Sequence, residues 1–97
     1  MWFYLDDERG LPSGSDAILV PDYDSMIRTI NMCVTYRIPL YIDFDYDIGD
    51  PYYSGARVAQ YIVDNRIPML GYHIHSSNQE GSRRIREILS GSEYEEI

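Results

Sequence analysis

The segment LYIDFDYDIG, residues 40–49, carries the clearest structural signal in the chain. Apolar and aromatic residues fill its first half and then run directly into closely spaced aspartates. A short apolar run of this kind predicts a strand buried in a sheet, with the aspartates at its carboxyl end. Because like charges are costly to gather, such a cluster suits a divalent cation or a cationic partner.

Similar segments lie on both sides of this one, because one apolar run reaches Asp6 and another ends at His75. The regions between them show helical spacing of apolar residues or are rich in glycine and proline. The predicted elements are strands at Trp2–Leu5, Ala17–Val20, Leu40–Phe44 and Met69–Ile74, and helices that open at Pro21-Asp22, at Ser54 or Gly55, and at Gly81. Strands that alternate with helices predict an α/β fold in which helices pack on a parallel sheet.

Length and composition restrict the class of protein. With 97 residues, 44% hydrophobic and 25% charged, the chain is expected to form one globular domain over residues 1–90, followed by a flexible acidic tail over residues 91–97. Its net charge of −8 argues against general nucleic-acid binding. No run is long enough to span a membrane, no signal peptide is visible, and the single Cys33 suits a reducing compartment, so we expect a cytoplasmic protein.

The basic residues are unusual, because all eight are arginines and lysine is absent. Schiff-base and P-loop lysine chemistry are therefore excluded. Any recognition of a phosphate must use arginine, histidine or backbone N–H groups. The ten tyrosines leave room for an exposed aromatic patch and hence for a homodimer, although tyrosine also serves as ordinary amphipathic filler.

Three chemically active segments follow predicted strands, namely residues 6–7, 45–47 and 75–76. In a parallel sheet the ligand crevice lies outside the carboxyl ends of the strands, so these segments are expected to converge on one edge. Asp6 and Asp7 would bind Mg²⁺ there; equally, one of them would cap a turn while the other pairs with Arg9.

The aspartates at positions 43, 45 and 47 do not form an EF-hand loop. Counted from Asp43, the sixth residue is Ile48 instead of glycine and the twelfth is Ser54 instead of glutamate. The remaining interpretations are a cation site and a solvated acidic loop. We favour the site, because the aromatic strand that leads into it should be buried.

His75 stands at a predicted strand end and is the acid/base candidate, since its side chain titrates near neutral pH. His73 is expected to be structural, and a zinc site would need a further imidazole or thiol. Ser76, Ser77 and Asn78 would either cap the next helix or donate to phosphate oxygens. The helix start at Gly81, with its following arginines, predicts an anion site or else an exposed face paired with glutamates.

Taken together, these segments resemble a known family, the cyclic-phosphate processing receiver-like domain, a divergent relative of response-regulator receivers. The resemblance extends from residue 3 to about residue 89. The segments that carry it are LDDERGLPSG (5–14), DFDYDIG (43–49), SGARVAQYI (54–62) and HSSNQEG (75–81). It implies a receiver-like α/β fold, which with the predicted elements gives a small three-layer sandwich around a mostly parallel sheet of about four strands and three helices.

The resemblance also implies a set of site residues and action on a cyclic phosphate. The family's site positions fall on Asp6, Asp7, Arg9, Asp45, Asp47, His75, Ser76 and Asn78. Asp43 lies outside this set, and Tyr46 stands where the family pattern has histidine. A conventional receiver switch is not expected, because the late lysine of phosphorylatable receivers is missing.

Our preferred hypothesis is a metal-assisted phosphoesterase acting on a cyclic phosphate or nucleotide derivative. The expected catalytic residues are His75, Asp45 and Asp7; the expected ligands of Mg²⁺ or Mn²⁺ are Asp6, Asp7, Asp45 and Asp47; the expected phosphate-binding residues are Arg9, Ser76, Asn78 and Arg83. The alternative is a non-catalytic binding module for a nucleotide or a basic protein partner, as in a degenerate receiver encoded by a phage.

Overall fold

The computed structural model describes all 97 residues and has four strands and three helices. The strands form one all-parallel sheet in the order β2-β1-β3-β4. In chain order the elements are β1 (Trp2–Leu5), β2 (Ile18–Val20), α1 (Tyr23–Tyr36), β3 (Leu40–Phe44), α2 (Gly55–Asp64), β4 (Met69–Ile74) and α3 (Gln79–Ser90). The predicted receiver-like α/β fold is confirmed, and three of the four strands have the predicted bounds.

All three helices pack on the same face of the sheet. Phe3 of β1 and Ile42 of β3 belong to a single core of 19 buried residues, and this core takes in Met26 of α1, Ile62 of α2 and Ile85 of α3. None of the three helices has the length and hydropathy needed to cross a bilayer.

The alternate residues of the strands point to the opposite face, which no helix covers. Trp2 and Tyr41 stack there with ring centroids 5.0 Å apart, and neither is part of the core. The sheet therefore has one helical layer, and the third layer that we expected is absent. The reason is that residues 6–17, between β1 and β2, form a loop, whereas a helix would have covered this face.

The helices begin at capping side chains. Asp22 caps α1 and accepts a hydrogen bond from the Ser25 N–H at 2.8 Å. Asn78 caps α3 and accepts from the Gly81 N–H at 2.8 Å, so this helix begins at Gln79, two residues before the predicted start. An asparagine at the N-cap satisfies an N–H group two or three residues later, which fixes the start ahead of the glycine.

Gly81 lets α3 approach the loop that follows β3. A Cβ atom at this position would overlap the ring of Tyr46. Gly55 has a similar role at the start of α2, where a Cβ atom would overlap the carbonyl oxygen of Asp45. Both helices thus contact the segment that carries the aspartates, and this contact fixes the segment against the core.

Replacing Gly81 with alanine is therefore expected to lower the free energy of unfolding by about 1–3 kcal/mol, because the added methyl group overpacks the contact with Tyr46. Urea denaturation measures the change. Gly91→Ala is the matched control: Gly91 has a φ of −72° and open space around it, so this variant should be neutral or about 0.4–1 kcal/mol more stable. Equal losses in the two variants would contradict the packing of Gly81 against Tyr46.

The carboxyl-terminal residues run along the outer edge of β4. The Tyr72 N–H donates to the Glu95 carbonyl at 2.9 Å, and the Ile97 N–H donates to the Tyr72 carbonyl at 2.7 Å. Arg86 of α3 donates two hydrogen bonds to the Glu96 carboxylate, at 2.7 and 2.8 Å. These contacts cover an edge strand that would otherwise be open to pairing. The flexibility of residues 91–97 stays a prediction.

Candidate functional site

The carboxyl ends of three neighbouring strands bring Asp6, Asp45 and His75 together. Each is the first residue after its strand, β1, β3 or β4. Backbone hydrogen bonds hold the three at one level, because the Asp45 N–H donates to Leu5 at 3.1 Å and the His75 N–H donates to Phe44 at 2.9 Å. One ligand atom from each side chain lies within 4.8 Å of the others.

His75 lies between two carboxylates. Its Nδ1 is 2.7 Å from Asp43 Oδ1, and its Nε2 is 3.0 Å from Asp6 Oδ2. The ring also stacks on Tyr4, with centroids 4.1 Å apart and planes 11° apart. Because both ring nitrogens face acceptors, the doubly protonated imidazolium satisfies every hydrogen bond available to it.

Asp43 is the site residue that sequence reasoning placed outside the set. It lies in β3 opposite His73 of β4, and the same oxygen that contacts His75 is 3.1 Å from His73 Nδ1. The available signal was the spacing of Asp43 and His75 in two strands of one parallel sheet. Using it requires the register between these strands, which the sequence does not state.

Burial lowers the pKa of His75, but the hydrogen bond and charge of Asp43, together with the hydrogen bond of Asp6, outweigh it and hold this pKa above its ordinary value. Burial raises the pKa of Asp43, and the hydrogen bonds from His75 and His73 more than offset it. For Asp6, burial is likewise outweighed by the backbone N–H groups of residues 8 and 9 and by His75. All three groups therefore favour their charged forms.

In metal-free protein, protonated His75 is expected to stabilise the fold. This contribution is complete below the ordinary pKa of 6.5 and is lost as the pH rises through the higher pKa of the folded state. Asp43 acts in the opposite sense, because its pKa is lowered and its contribution is lost as the pH falls. Asp43→Asn removes the main charged partner and should lower the pKa of His75.

An NMR titration of the imidazole C–H signals in EDTA measures this pKa, with Asp24→Asn on α1 as the control variant. A pKa of His75 at or below its ordinary value, or one unchanged by Asp43→Asn, would contradict the arrangement.

Two of the three residues, Asp6 and Asp45, line an open cleft of about 460 Å³, and His75 contacts Asp6 beside it. Six of the ten lining residues carry a carboxylate, and Arg9 carries the one positive charge. We call this the acidic cleft; its lining residues are Asp6, Asp7, Glu8, Arg9, Asp45, Asp47, Gly49, Asp50, Pro51 and Ser77.

The donor atoms in the acidic cleft fit a divalent cation. Asp6 and Asp45 are only 2% and 8% exposed. Oδ1 of Asp6 accepts from the Glu8 and Arg9 N–H groups at 2.9 Å, which fixes the carboxylate. Oδ1 of Asp45 accepts from the Tyr46 N–H at 2.8 Å, whereas its second oxygen has no hydrogen-bond partner in the protein. Carboxylate oxygens held in this way suit Mg²⁺ or Mn²⁺.

Other predicted residues lie around the same edge. Asp7 and Asp47 line the acidic cleft, and Asp47 accepts a hydrogen bond from the Asn78 side chain at 3.2 Å. Arg9 donates to the His75 carbonyl at 3.3 Å. Ser76 follows His75 in the chain, and its hydroxyl oxygen accepts a hydrogen bond from the Asn78 N–H at 3.1 Å.

At the start of α3, which was expected to bind an anion, some of the backbone N–H groups already form hydrogen bonds within the protein. The Gly81 N–H donates to the Asn78 side chain, and the Ser82 N–H donates to the Asn78 carbonyl at 2.8 Å. Arg83 lies on the exposed face of α3, paired with Glu80 and Glu87, and it does not line the acidic cleft. Its contact with a phosphate stays a prediction.

Tyr46 lies outside the acidic cleft although its neighbours Asp45 and Asp47 line it. Its ring packs against Gly81 and lines a separate pocket between α2 and α3. The tyrosine at this position therefore contributes no group to the acidic cleft.

Comparison with known protein families shows which family the chain belongs to. The family described as the cyclic-phosphate processing receiver domain matches the chain over residues 1–91. The chain belongs to this family. The resemblance carried by the four motifs is thereby confirmed, and the family's description links this receiver domain to the processing of cyclic phosphates. No curated protein and no solved structure matches the chain significantly.

Proposed function

We propose that this receiver domain is a metal-assisted phosphoesterase that opens a cyclic phosphate, with cyclic-phosphate nucleotides as the substrate class. The convergence of Asp6, Asp45 and His75 at one edge of the sheet is the observation that carries the proposal. The six carboxylates of the acidic cleft would repel a phosphate unless a cation neutralised them. Phosphate chemistry in this cleft therefore implies a bound divalent ion.

Asp6 and Asp45 would hold the ion, and Asp7 and Asp47 would add oxygen ligands directly or through water. Mg²⁺ or Mn²⁺, when bound, neutralises charge on the phosphoryl oxygens and orients an attacking water. His75 is the alternative third ligand. We assign it a different role, because Asp43 and Asp6 occupy both of its nitrogens and its pKa is raised.

His75 would act as the general acid. When water attacks the phosphorus atom, the bond to one ring oxygen breaks, and that oxygen takes the proton from His75 Nε2. Asp6 accepts the hydrogen bond from this nitrogen in the ligand-free protein, and the leaving oxygen would replace it as acceptor. Asp43 holds the opposite nitrogen at 2.7 Å, which fixes the ring and favours its protonated form.

The remaining residues would bind and orient the substrate. Arg9 is the one cation in the lining of the acidic cleft, and a guanidinium group matches two oxygens of a phosphate. Asp7, which has no ion-pair partner in the protein, would accept the proton of the attacking water. Asn78 and Ser76 would fix the position of Asp47 on the other side of the cleft. Asn78 donates hydrogen bonds to both Asp47 and Ser76.

Phosphorus NMR tests the proposal with a panel of nucleoside 2′,3′- and 3′,5′-cyclic phosphates, each incubated with Mg²⁺, Mn²⁺ or EDTA. We expect conversion of at least one substrate to a phosphate monoester, and only with the metal. If no substrate is converted with either metal, the phosphoesterase proposal fails. Calorimetry then separates the alternatives, because nucleotide binding without product supports a binding module, and indifference to nucleotides and metals supports a basic protein partner.

A further inference from the structure

A second pocket, of about 230 Å³, lies between α2 and α3 and differs from the acidic cleft in charge. Arg57 of α2 and Arg84 of α3 both line it, together with Tyr46 and Tyr52, and no carboxylate does. We call it the arginine pocket. Two positive charges without a negative one are unexpected in a chain with 16 acidic and 8 basic residues.

Neither arginine is neutralised within the protein. Arg83 and Arg86, on the same helix as Arg84, both form ion pairs with glutamates, whereas Arg57 and Arg84 form none. The guanidinium of Arg57 stacks over the Tyr52 ring, 4.4 Å from its centroid. Stacking holds the group in position and leaves the N–H groups at its edge free to donate.

We propose that the arginine pocket binds the phosphate group of a nucleotide. Guanidinium groups from two helices border one small pocket, and this residue type recognises phosphate oxygens through paired N–H donors. The half-exposed ring of Tyr52 beside them offers a surface for a base or sugar. The site is distinct from the acidic cleft and does not depend on hydrolysis.

The two sites are adjacent. Pro51 lines both of them, and the consecutive residues Asp45 and Tyr46 line the acidic cleft and the arginine pocket respectively. One nucleotide can therefore span them, with its cyclic phosphate in the acidic cleft and a second phosphate on the arginines. This step, which rests on the proposed function, narrows the substrate class to nucleotides that carry a second phosphate.

Binding in EDTA isolates the arginine pocket, because the acidic cleft repels phosphate when no cation is present. Calorimetry would compare adenosine 5′-monophosphate, inorganic phosphate and adenosine on the wild type, Arg57→Gln, Arg84→Gln and Arg28→Gln. Arg28→Gln is the control, since it removes the same charge from α1. We expect the monophosphate to bind, adenosine to bind at least about tenfold more weakly, and Arg57→Gln and Arg84→Gln each to lose about fivefold or more.

Binding of the monophosphate above that of inorganic phosphate identifies a nucleotide as the source of the phosphate group. Equal binding of adenosine and its monophosphate, undiminished binding by Arg84→Gln, or no binding at all would overturn the proposal. Because this measurement needs no turnover, its outcome is independent of the phosphoesterase activity.

Steady-state kinetics with Mg²⁺ test the substrate class separately. A nucleoside 2′,3′-cyclic phosphate with a 5′-phosphate is expected to have a KM about tenfold below that of the same compound without it. Arg84→Gln should abolish the difference, whereas Arg28→Gln on α1 should keep it. Equal KM values in the wild type would overturn a substrate that spans both sites, while absence of turnover on both compounds would overturn the proposed function instead.

Discussion

Replacing His75 with glutamine is expected to lower kcat for cyclic-phosphate opening by about 10²- to 10⁴-fold, the usual contribution of a general acid. Glutamine keeps a hydrogen-bonding side chain but has no proton to give to the leaving oxygen. Steady-state rates with Mn²⁺ measure the loss, and circular dichroism checks that the fold is kept. The limb of the pH profile that reports the protonated acid should disappear in the variant.

His73→Gln is the matched control for this experiment. His73 lies on the same strand and contacts the same Asp43 oxygen, but its side chain is 50% exposed and does not reach Asp6. We expect kcat of the His73→Gln variant to stay within a few-fold of the wild-type value. A small effect at His75, or an equal effect at both histidines, would contradict the assignment of His75 as the acid.

Replacing Asp45 with asparagine is expected to lower kcat/KM by about 10²- to 10³-fold. The side chain keeps its size but loses the charge that would hold the cation. The bound metal would stabilise the transition state by several kcal/mol, and this stabilisation would be reduced in the variant. The apparent affinity for Mn²⁺, measured by titration, should fall in parallel. Raising the metal concentration should restore part of the activity.

Glu8→Gln is the control for Asp45→Asn, because Glu8 lines the same cleft and the variant removes one negative charge there. A general effect of charge would change both variants alike, whereas a ligand role predicts a large loss at Asp45 alone. Wild-type metal affinity in Asp45→Asn would contradict the ligand assignment.

The sequence was sufficient for the order and type of the elements. The apolar runs at Trp2–Leu5, Leu40–Phe44 and Met69–Ile74 are buried on the helical face and end at polar residues, so their bounds could be read directly. The convergence of Asp6, Asp45 and His75 followed from one rule, since the carboxyl ends of parallel strands meet at one edge.

The remaining features depend on contacts between distant segments. The hydrogen bond between Asp43 and His75 could be predicted only from the register of β3 on β4. That register includes an irregularity between Leu40 and Tyr41. The direction of the Tyr46 ring depends on the missing side chain at Gly81, 35 positions along the chain. The loop over residues 6–17, by contrast, has a local cause, because its glycines, proline and serines predict a loop and the structure has one.

The proposed chemistry depends on a divalent cation that Asp6 and Asp45 would hold at the edge of the sheet. The most direct measurement is the anomalous scattering of Mn²⁺ in crystals grown with millimolar metal. We predict a peak between these two carboxylates, within direct coordination distance of both, with Asp7 or Asp47 as a further ligand directly or through water. A peak elsewhere, or none in the acidic cleft at saturating metal, would contradict the account.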